Sequence, residues 1–329
     1  MQIFLRLRSI AYALPLALAF AAPLFTAPAQ AQNYPTRTVK MIVPFGAGGP
    51  ADVYARVLAK YLSEETKQSF VIENRPGAGA VIGTDAVAKS TPDGYTLLVM
   101  SNTHTTNESL LSNKPYELMR DFVPVAPINY SDLLMVVHPD VQAKTVAEFI
   151  AVAKKDPGKL NYASSGPGTP YHMAGELFKA MSKTDIVHVP HKASGDARNS
   201  VLSGTVQMMF DAVTTMSELA KSGKVKALAT TGLKRSPLTP DLPTVAETVP
   251  GYEATIWLGV MAPKDTPKDV VAALNASINK VINLPEVKEA WLKQGAIPLV
   301  MTPPEFDAYL RKDIAKWAEV VKVSGAKVQ

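Results

Sequence analysis

The sequence predicts an α/β protein of two lobes, each a mainly parallel sheet flanked by helices. Strand-like and helix-like stretches alternate along the chain, the pattern of strands joined by crossover helices. Glycine-rich turns follow several of the short apolar runs, which is where open α/β sheets place their ligands. No Pro/Gly/Ser-rich linker cuts the chain in two, so one lobe inserted into the other is favoured over two sequential domains.

The N-terminus reads as an export signal. Arg6 and Arg8 precede an apolar stretch, Ile10 to Phe25, and Ala29-Gln30-Ala31 fits a small-x-small cleavage site. A cleaved signal peptide of residues 1–31 is expected, with the mature protein in the periplasm. Removing 31 residues from 329 leaves 298, room for two lobes at about 150 residues each. The chain has no cysteine, which excludes a lipid-anchored lipobox, a disulfide framework and a thiolate metal site. The net charge of +5 is spread along helices without a basic block interleaved with aromatics, so no nucleic-acid partner is expected.

Val39–Phe45 is a short apolar run, read as a buried strand. Tyr54, Val57, Leu58, Tyr61 and Leu62 then share one helical face. Phe70–Glu73, Tyr95–Met100, Leu133–Val137, Leu160–Ala163, Ile186–Val189, Val206–Phe210 and Val225–Thr230 read as further strands. Ile82–Lys89, Val146–Lys154 and Tyr171–Met181 read as helices, and Lys268–Ile282, Pro285–Lys293 and Pro304–Val323 end the chain as helices. Leu133–Val137 and Trp257–Met261 fall where the chain would cross between lobes. The expected division is residues 33–131 plus 257–329 for the first lobe and 132–256 for the second.

The chemistry concentrates in turns. Phe45-Gly46-Ala47-Gly48-Gly49-Pro50-Ala51-Asp52 joins a strand to a helix. Glycines let the backbone approach a ligand, proline suits the first helical turn, and the remaining orphan N–H groups face an anion with the positive end of the helix. Asp52 either caps the helix or bonds a ligand donor, and a plain capped turn is the competing reading. Ser164-Ser165-Gly166-Pro167-Gly168-Thr169 repeats the design before a second helix, with hydroxyls added. Ser101, Thr103 and His104 follow a third strand. His191 and Asp211 sit at strand ends in the second lobe and complete the candidate ligand contacts.

Enzyme readings are weaker. Gly46-x-Gly48-x-x-Ala51 fits a dinucleotide fingerprint, with Glu73 near the place of a ribose-binding acid, so an exported dinucleotide-dependent oxidoreductase is a rival. An export signal and Pro50, which removes one N–H from the helix start, oppose it. His188, His191, His172 and Glu176 lack metalloprotease spacing, and Ser165-Gly166 is not a nucleophile elbow. No catalytic residue and no metal site is expected.

Several motifs in order resemble the Bug-type receptors of tripartite tricarboxylate transporters. They are Tyr34-Pro35, Val43-Pro44-Phe45, Asn74-Arg75-Pro76-Gly77-Ala78-Gly79, Pro92-Asp93-Gly94-Tyr95, Pro115-Tyr116, Asp121-Phe122-Val123-Pro124-Val125, Tyr162-Ala163-Ser164-Ser165-Gly166, His172, Asp241-Leu242-Pro243-Thr244, Pro250-Gly251-Tyr252 and Trp257-Leu258-Gly259. The resemblance implies a Venus-flytrap fold, no cofactor, no catalysis and a monomer. It further implies a small carboxylate ligand (a di- or tricarboxylate, an aromatic acid or an acidic amino acid) held mainly by backbone N–H groups and hydroxyls, and delivery to membrane permease subunits. A ligand-sensing subunit for a membrane histidine kinase is the alternative partner role. The chain departs from the family pattern at Val189-Pro190-His191-Lys192-Ala193, where Val-Pro-Tyr-Lys-Gly is common, and at Ala80, where glycine is expected.

Overall fold

The computed structural model describes residues 34–191 and 194–324. The segment read as an export signal lies outside them, as do Lys192 and Ala193. In chain order the elements are β1 (Val39–Val43), α1 (Pro50–Thr66), β2 (Phe70–Asn74), α2 (Val81–Ala88), β3 (Thr96–Ser101), α3 (Asn102–Leu110), α4 (Leu118–Asp121) and β4 (Phe122–Ser131). Then come β5 (Leu133–Val137), α5 (Val146–Lys155), β6 (Asn161–Ser164), α6 (Pro170–Ser182), β7 (Val187–Pro190), α7 (Ser194–Leu202), β8 (Met208–Ala212), α8 (Val213–Lys221) and β9 (Lys226–Thr230). The chain closes with β10 (Ile256–Pro263), α9 (Lys268–Ile282), α10 (Pro285–Leu292), β11 (Ala296–Pro298) and α11 (Pro303–Ser324).

Two sheets result, ordered β11-β4-β10-β3-β1-β2 and β7-β6-β8-β5-β9. Each is covered on both faces, and period-2 alternation sorts the side chains. In the first sheet Val39, Met41, Leu97 and Val99 meet Leu58 and Leu62 of α1, Ile278 of α9 and Trp291 of α10. Ile42, Leu98 and Met100 point the other way, toward Val87 of α2 and Phe306 of α11. In the second sheet Leu133, Met135 and Phe210 pack on Phe149 and Phe178, while Leu134, Val136 and Met209 pack on Ala197, Val201 and Met216.

Strand directions are more mixed than expected. β1 runs parallel to β2 and β3, but β10 is antiparallel to β3 and β4, and β11 is antiparallel to β4. In the second sheet β6 is parallel to β7 and β8, whereas β5 is antiparallel to β8 and β9. Apart from β11, the departures come from strands that enter a sheet at a passage: β4 leaves one sheet at Ser131, and β5 opens the other at Leu133, with Asp132 between. A strand that enters a sheet at the edge where its neighbours' carboxyl ends lie runs against them, as β5 and β10 do, whereas β4 runs with β1 and β3 and leaves at that edge. The returning strand β10 pairs Ile256 with Ser131, so both passages lie side by side.

The sequence reading did not find β4, which holds Pro124 and Pro127; β11 pairs only with Ser131, Tyr130 and Asn129, so both prolines lie where β4 has one neighbour, as an edge strand does. The ladder against β10 tolerates them by two register shifts, between Leu258/Gly259 and Val260/Met261. The final helix α11 serves both cores. Its Phe306 and Leu310 pack against the first sheet, and its Trp317 and Val320 complete the apolar cluster of the second.

Candidate functional site

The ladders place the glycine turns. Ser101 at the end of β3 pairs with Leu258, two residues into β10, so the carboxyl ends of β1 and β3 share the edge where the chain passes between sheets. In the second sheet Leu133 pairs with Ala212, Leu134 with Thr230, and Ala163 with Met209. The carboxyl ends of β6, β8 and β9 therefore share the edge nearest the same passages. The turns after β1 and β6 stand on these two edges.

The two turns are built alike in detail. Gly48 has φ +76° and donates its N–H to Asp52 Oδ2 at 2.8 Å. Gly168 has φ +76° and donates its N–H to His172 Nδ1 at 3.0 Å. Two residues before each, a carbonyl closes the turn: Gly49 N–H to Gly46 O and Thr169 N–H to Gly166 O, both 3.4 Å. A proline follows at the first helical position, Pro50 in α1 and Pro170 in α6. The shared pattern is Gly-x-Gly-x-Pro-x-(Asp/His), a sequence signal that reading the two loops separately does not reveal. A left-handed glycine is needed where the N–H must turn back to a side chain four residues on.

Each turn leaves donors at the positive end of a helix. The N–H groups of Ala51 and Asp52 in α1, and of Tyr171 in α6, have no partner among the described residues. Gly46, Ala47 and Gly48 are exposed, and Phe45, Gly49, Ser165, Gly166 and Thr169 are partly so. Thr169 caps α6 by accepting the His172 N–H and gives its own hydroxyl proton to Gly166 O at 2.7 Å.

Behind these exposed surfaces, five of the expected contacts are turned inward. Asp52 is 3% exposed and spends Oδ2 on Gly48 and on Arg56 Nε. Burial alone would raise its pKa, but the Arg56 guanidinium, the Gly48 N–H and Asn74 together hold its carboxyl below the usual range. Ser101 caps α3 through the Thr103 N–H. His104, fully buried, accepts the Ser101 N–H on Nδ1, which leaves its proton on Nε2 for Thr84 Oγ1 at 3.0 Å. Ser164 is buried and lies 2.6 Å from His188 Nε2. Asp211 is buried at the end of β8 and closes on Arg198. In each case a charged or polar group at a strand end finds a partner inside the protein, because leaving it buried without one costs about 1–3 kcal/mol. Thr103 and His191 remain partly exposed. His191 donates its N–H to Ser164 O at 2.9 Å and holds its ring Nδ1 3.1 Å from Val189 O, beside the second turn.

An aromatic stack of buried Tyr162 and His172 with half-buried His188 supports that turn. His172 and His188 have ring centroids 4.1 Å apart, and Tyr162 stacks on His188 at 4.8 Å. The Tyr162 hydroxyl donates to Glu176, which Lys179 also holds at 3.0 Å. Burial depresses His172 to about 4, and burial with the neighbouring His172 depresses His188 to about 3. Both rings are therefore neutral near pH 7 and work as hydrogen-bond partners, not as charges.

The oxidoreductase reading finds no support here. Glu73, the candidate ribose-binding acid, is held by Lys40 at 2.8 Å and by Arg75. Among the described residues no group of three or more His, Cys, Asp or Glu is placed to hold a metal ion. A separate groove of about 360 Å³ lies beside the passages and is lined by Tyr130, Asp132, Glu253, Leu299 and Tyr309, among others. None of its lining residues belongs to the glycine turns.

Comparison with known proteins finds relatives in sequence and in fold. Residues 54–326 match the model of the tripartite tricarboxylate transporter family receptor. Protein BugT of Bordetella pertussis is 39% identical over 306 residues, covering 92% of this chain and 94% of that one. The solved structure of Rpa4515 from R. palustris with adipate has a TM-score of 0.79 and 35% identity, covering 90% of this chain and all (100%) of that one. MatC from Rhodopseudomonas palustris with bound malate has a TM-score of 0.75 and 30% identity, covering 88% of this chain and 100% of that one.

Proposed function

The chain belongs to the tripartite tricarboxylate transporter receptor family, and on that footing we propose that it captures a small carboxylate between its two lobes and delivers it to the membrane permease of such a transporter. Proteins of this family are periplasmic binding proteins, and the apolar N-terminal stretch supports export of this chain to the same compartment. The lobes of the proposal are residues 33–131 plus 257–329 and residues 132–256, with α11 reaching into the second core.

One observation carries the reading. Two turns of the same design, one per sheet, stand on the edges nearest the passages, and each ends in a helix with N–H groups left without an internal partner. Such a helix start stabilises an anion by about 0.3–1 kcal/mol in exposed settings, and by more when water is excluded. Capture follows by hinge closure at residues 131–133 and 255–256. Phe45–Asp52 supplies the N–H groups of Ala51 and Asp52 from one side, and the turn at Ser165, Gly166 and Thr169 supplies the Ser165 hydroxyl and the Tyr171 N–H from the other. Thr103 and His191 are placed to meet the rest of the ligand. Neighbours of this fold have been solved with adipate and with malate, so small dicarboxylates head the panel of ligands. The protein acts as a monomer without cofactor or turnover.

Titration calorimetry of the chain from residue 32 onward with adipate, malate, nicotinate and glutamate tests this. At Gly48 an added Cβ meets nothing within 4 Å, but the φ of +76° strains any side chain. Gly48→Asn carries the backbone cost without the charge and is expected to retain binding. Gly48→Asp places a carboxylate at the turn and is expected to abolish it. Equal binding by both variants places the site elsewhere, and chemical conversion of any panel compound makes the protein an enzyme.

A further inference from the structure

A cation that the sequence reading passed over lies beside the second turn. Arg198 lies one turn into α7. Its Nε donates to Asp211 Oδ2 at 2.5 Å, and its Nη2 donates to Asp211 Oδ1 at 3.3 Å. Asp211 is 0% exposed, and its Oδ1 also accepts the Ala212 N–H at 2.7 Å. The Arg198 side chain keeps 26% of its surface, and its Nη1 has no partner among the described residues. Tyr171, the second residue of α6, lies against both charges: burial and the Asp211 carboxylate push its phenol up while Arg198 opposes them. The guanidinium therefore stands at the carboxyl ends of β6 and β8, next to the Ser164–Thr169 turn.

A guanidinium offers five N–H donors in a planar fork. The side edge, Nε with Nη2, is given to Asp211, and the end edge, Nη1 with Nη2, can accept a second carboxylate in the same plane. Asp211 fixes that plane, so little side-chain freedom is left to lose when an anion docks. Because Asp211 already balances the charge of Arg198, the docking anion gains two directed hydrogen bonds more than it gains net Coulomb attraction. Asp211, expected as a ligand contact, acts here by orienting its partner.

We propose that Arg198 is a specificity-determining residue whose free edge receives a second carboxylate of the ligand, the first being held by the glycine turns. The receptor then prefers a diacid over the monoacid of equal chain length. This inference rests on the carboxylate-binding reading above and adds a selectivity to it.

Matched pairs test it by calorimetry: adipate with hexanoate and succinate with butyrate, against the unaltered protein, Arg198→Met, Arg198→Met/Asp211→Asn and Gly48→Asp. The double variant removes both charges together, so that no buried carboxylate is left unpaired, and it stands in should the single variant not fold. The expected result is that both Arg198 variants weaken diacid binding by about 10- to 100-fold, the range of a lost charge-assisted contact, and leave monoacid binding within about 2-fold. An unchanged diacid affinity, or an equal loss for both members of a pair, overturns the assignment and makes Arg198 a structural partner of Asp211. Failure of the underlying reading looks different: the unaltered protein binds neither member of a pair, or Gly48→Asp leaves both bound.

Discussion

The backbone N–H of Gly168 donates to Nδ1 of His172 at 3.0 Å, one of the bonds that hold the turn at the start of α6. Its counterpart in the first lobe runs from Gly48 to Asp52 at 2.8 Å. A neutral imidazole and a carboxylate thus fill one structural role, because the role asks only for an acceptor at that distance.

That equivalence is testable. His172→Asn keeps an acceptor near the position of Nδ1, and His172→Leu removes it. The asparagine variant is expected to bind ligand within about 3-fold of the unaltered protein. The leucine variant frees a buried N–H, at a cost of about 1–3 kcal/mol, and is expected to bind at least about 10-fold more weakly. Titration calorimetry decides it, and equal affinities for the two variants would show that the turn does not depend on this bond.

Three histidines, His104 and His172 buried and His188 half-buried, oppose acid in the native state. Burial lowers His104 and His172 to about 4, and burial with the adjacent His172 lowers His188 to about 3. With folded values below the unfolded value of about 6.5, the native state holds fewer protons than the unfolded chain between these limits. Their contribution is present in full above pH 6.5 and is lost as pH falls toward 4 and 3. Each histidine adds a slope of about 1.4 kcal/mol per pH unit inside that window. His188→Gln, which preserves an acceptor for Ser164, is expected to flatten the fall of urea-unfolding free energy between pH 6 and pH 4.5 by about that amount. An unchanged slope would mean that His188 is charged in the native state.

Asp132, between β4 and β5, carries the opposite sign. Burial first, and the Glu253 carboxylate second, raise it to about 6. The native state therefore holds the extra proton, and stability present at pH 4 is lost as pH rises through 6. Asp132→Asn is expected to raise the unfolding free energy at pH 7.5 by about 2–3 kcal/mol and to leave it unchanged near pH 4. A gain of equal size at both pH values would point to packing beside Gly232, not to charge, as the cause.

The elements legible in the sequence were those whose periodicity is set by the core. Leu133–Val137 and Lys268–Ile282 were read with the bounds that β5 and α9 have. Elements held by other means escaped. α3 is polar along its length, and its stability comes from Thr105 and Thr106 bonding back to Asn102 O and from Thr105 bonding Asp313. β4 is hidden by two prolines, which sit in its bulged ladder with β10 beyond the end of β11. At the candidate site, both glycine turns could be found from composition and spacing. Which side chains face inward could not, because Asp211 and Ser164 are taken up by Arg198 and His188, and these pairings depend on strand order.

The last helix has a bearing on how the molecule is made. Trp317 and Val320 belong to the apolar cluster beneath β5 and β8, although more than a hundred residues separate them from those strands in the chain. A ribosome releases the inserted lobe long before it releases the residues that cover its core. The patch that Trp317 and Val320 shield is therefore the last part of that core to gain its cover.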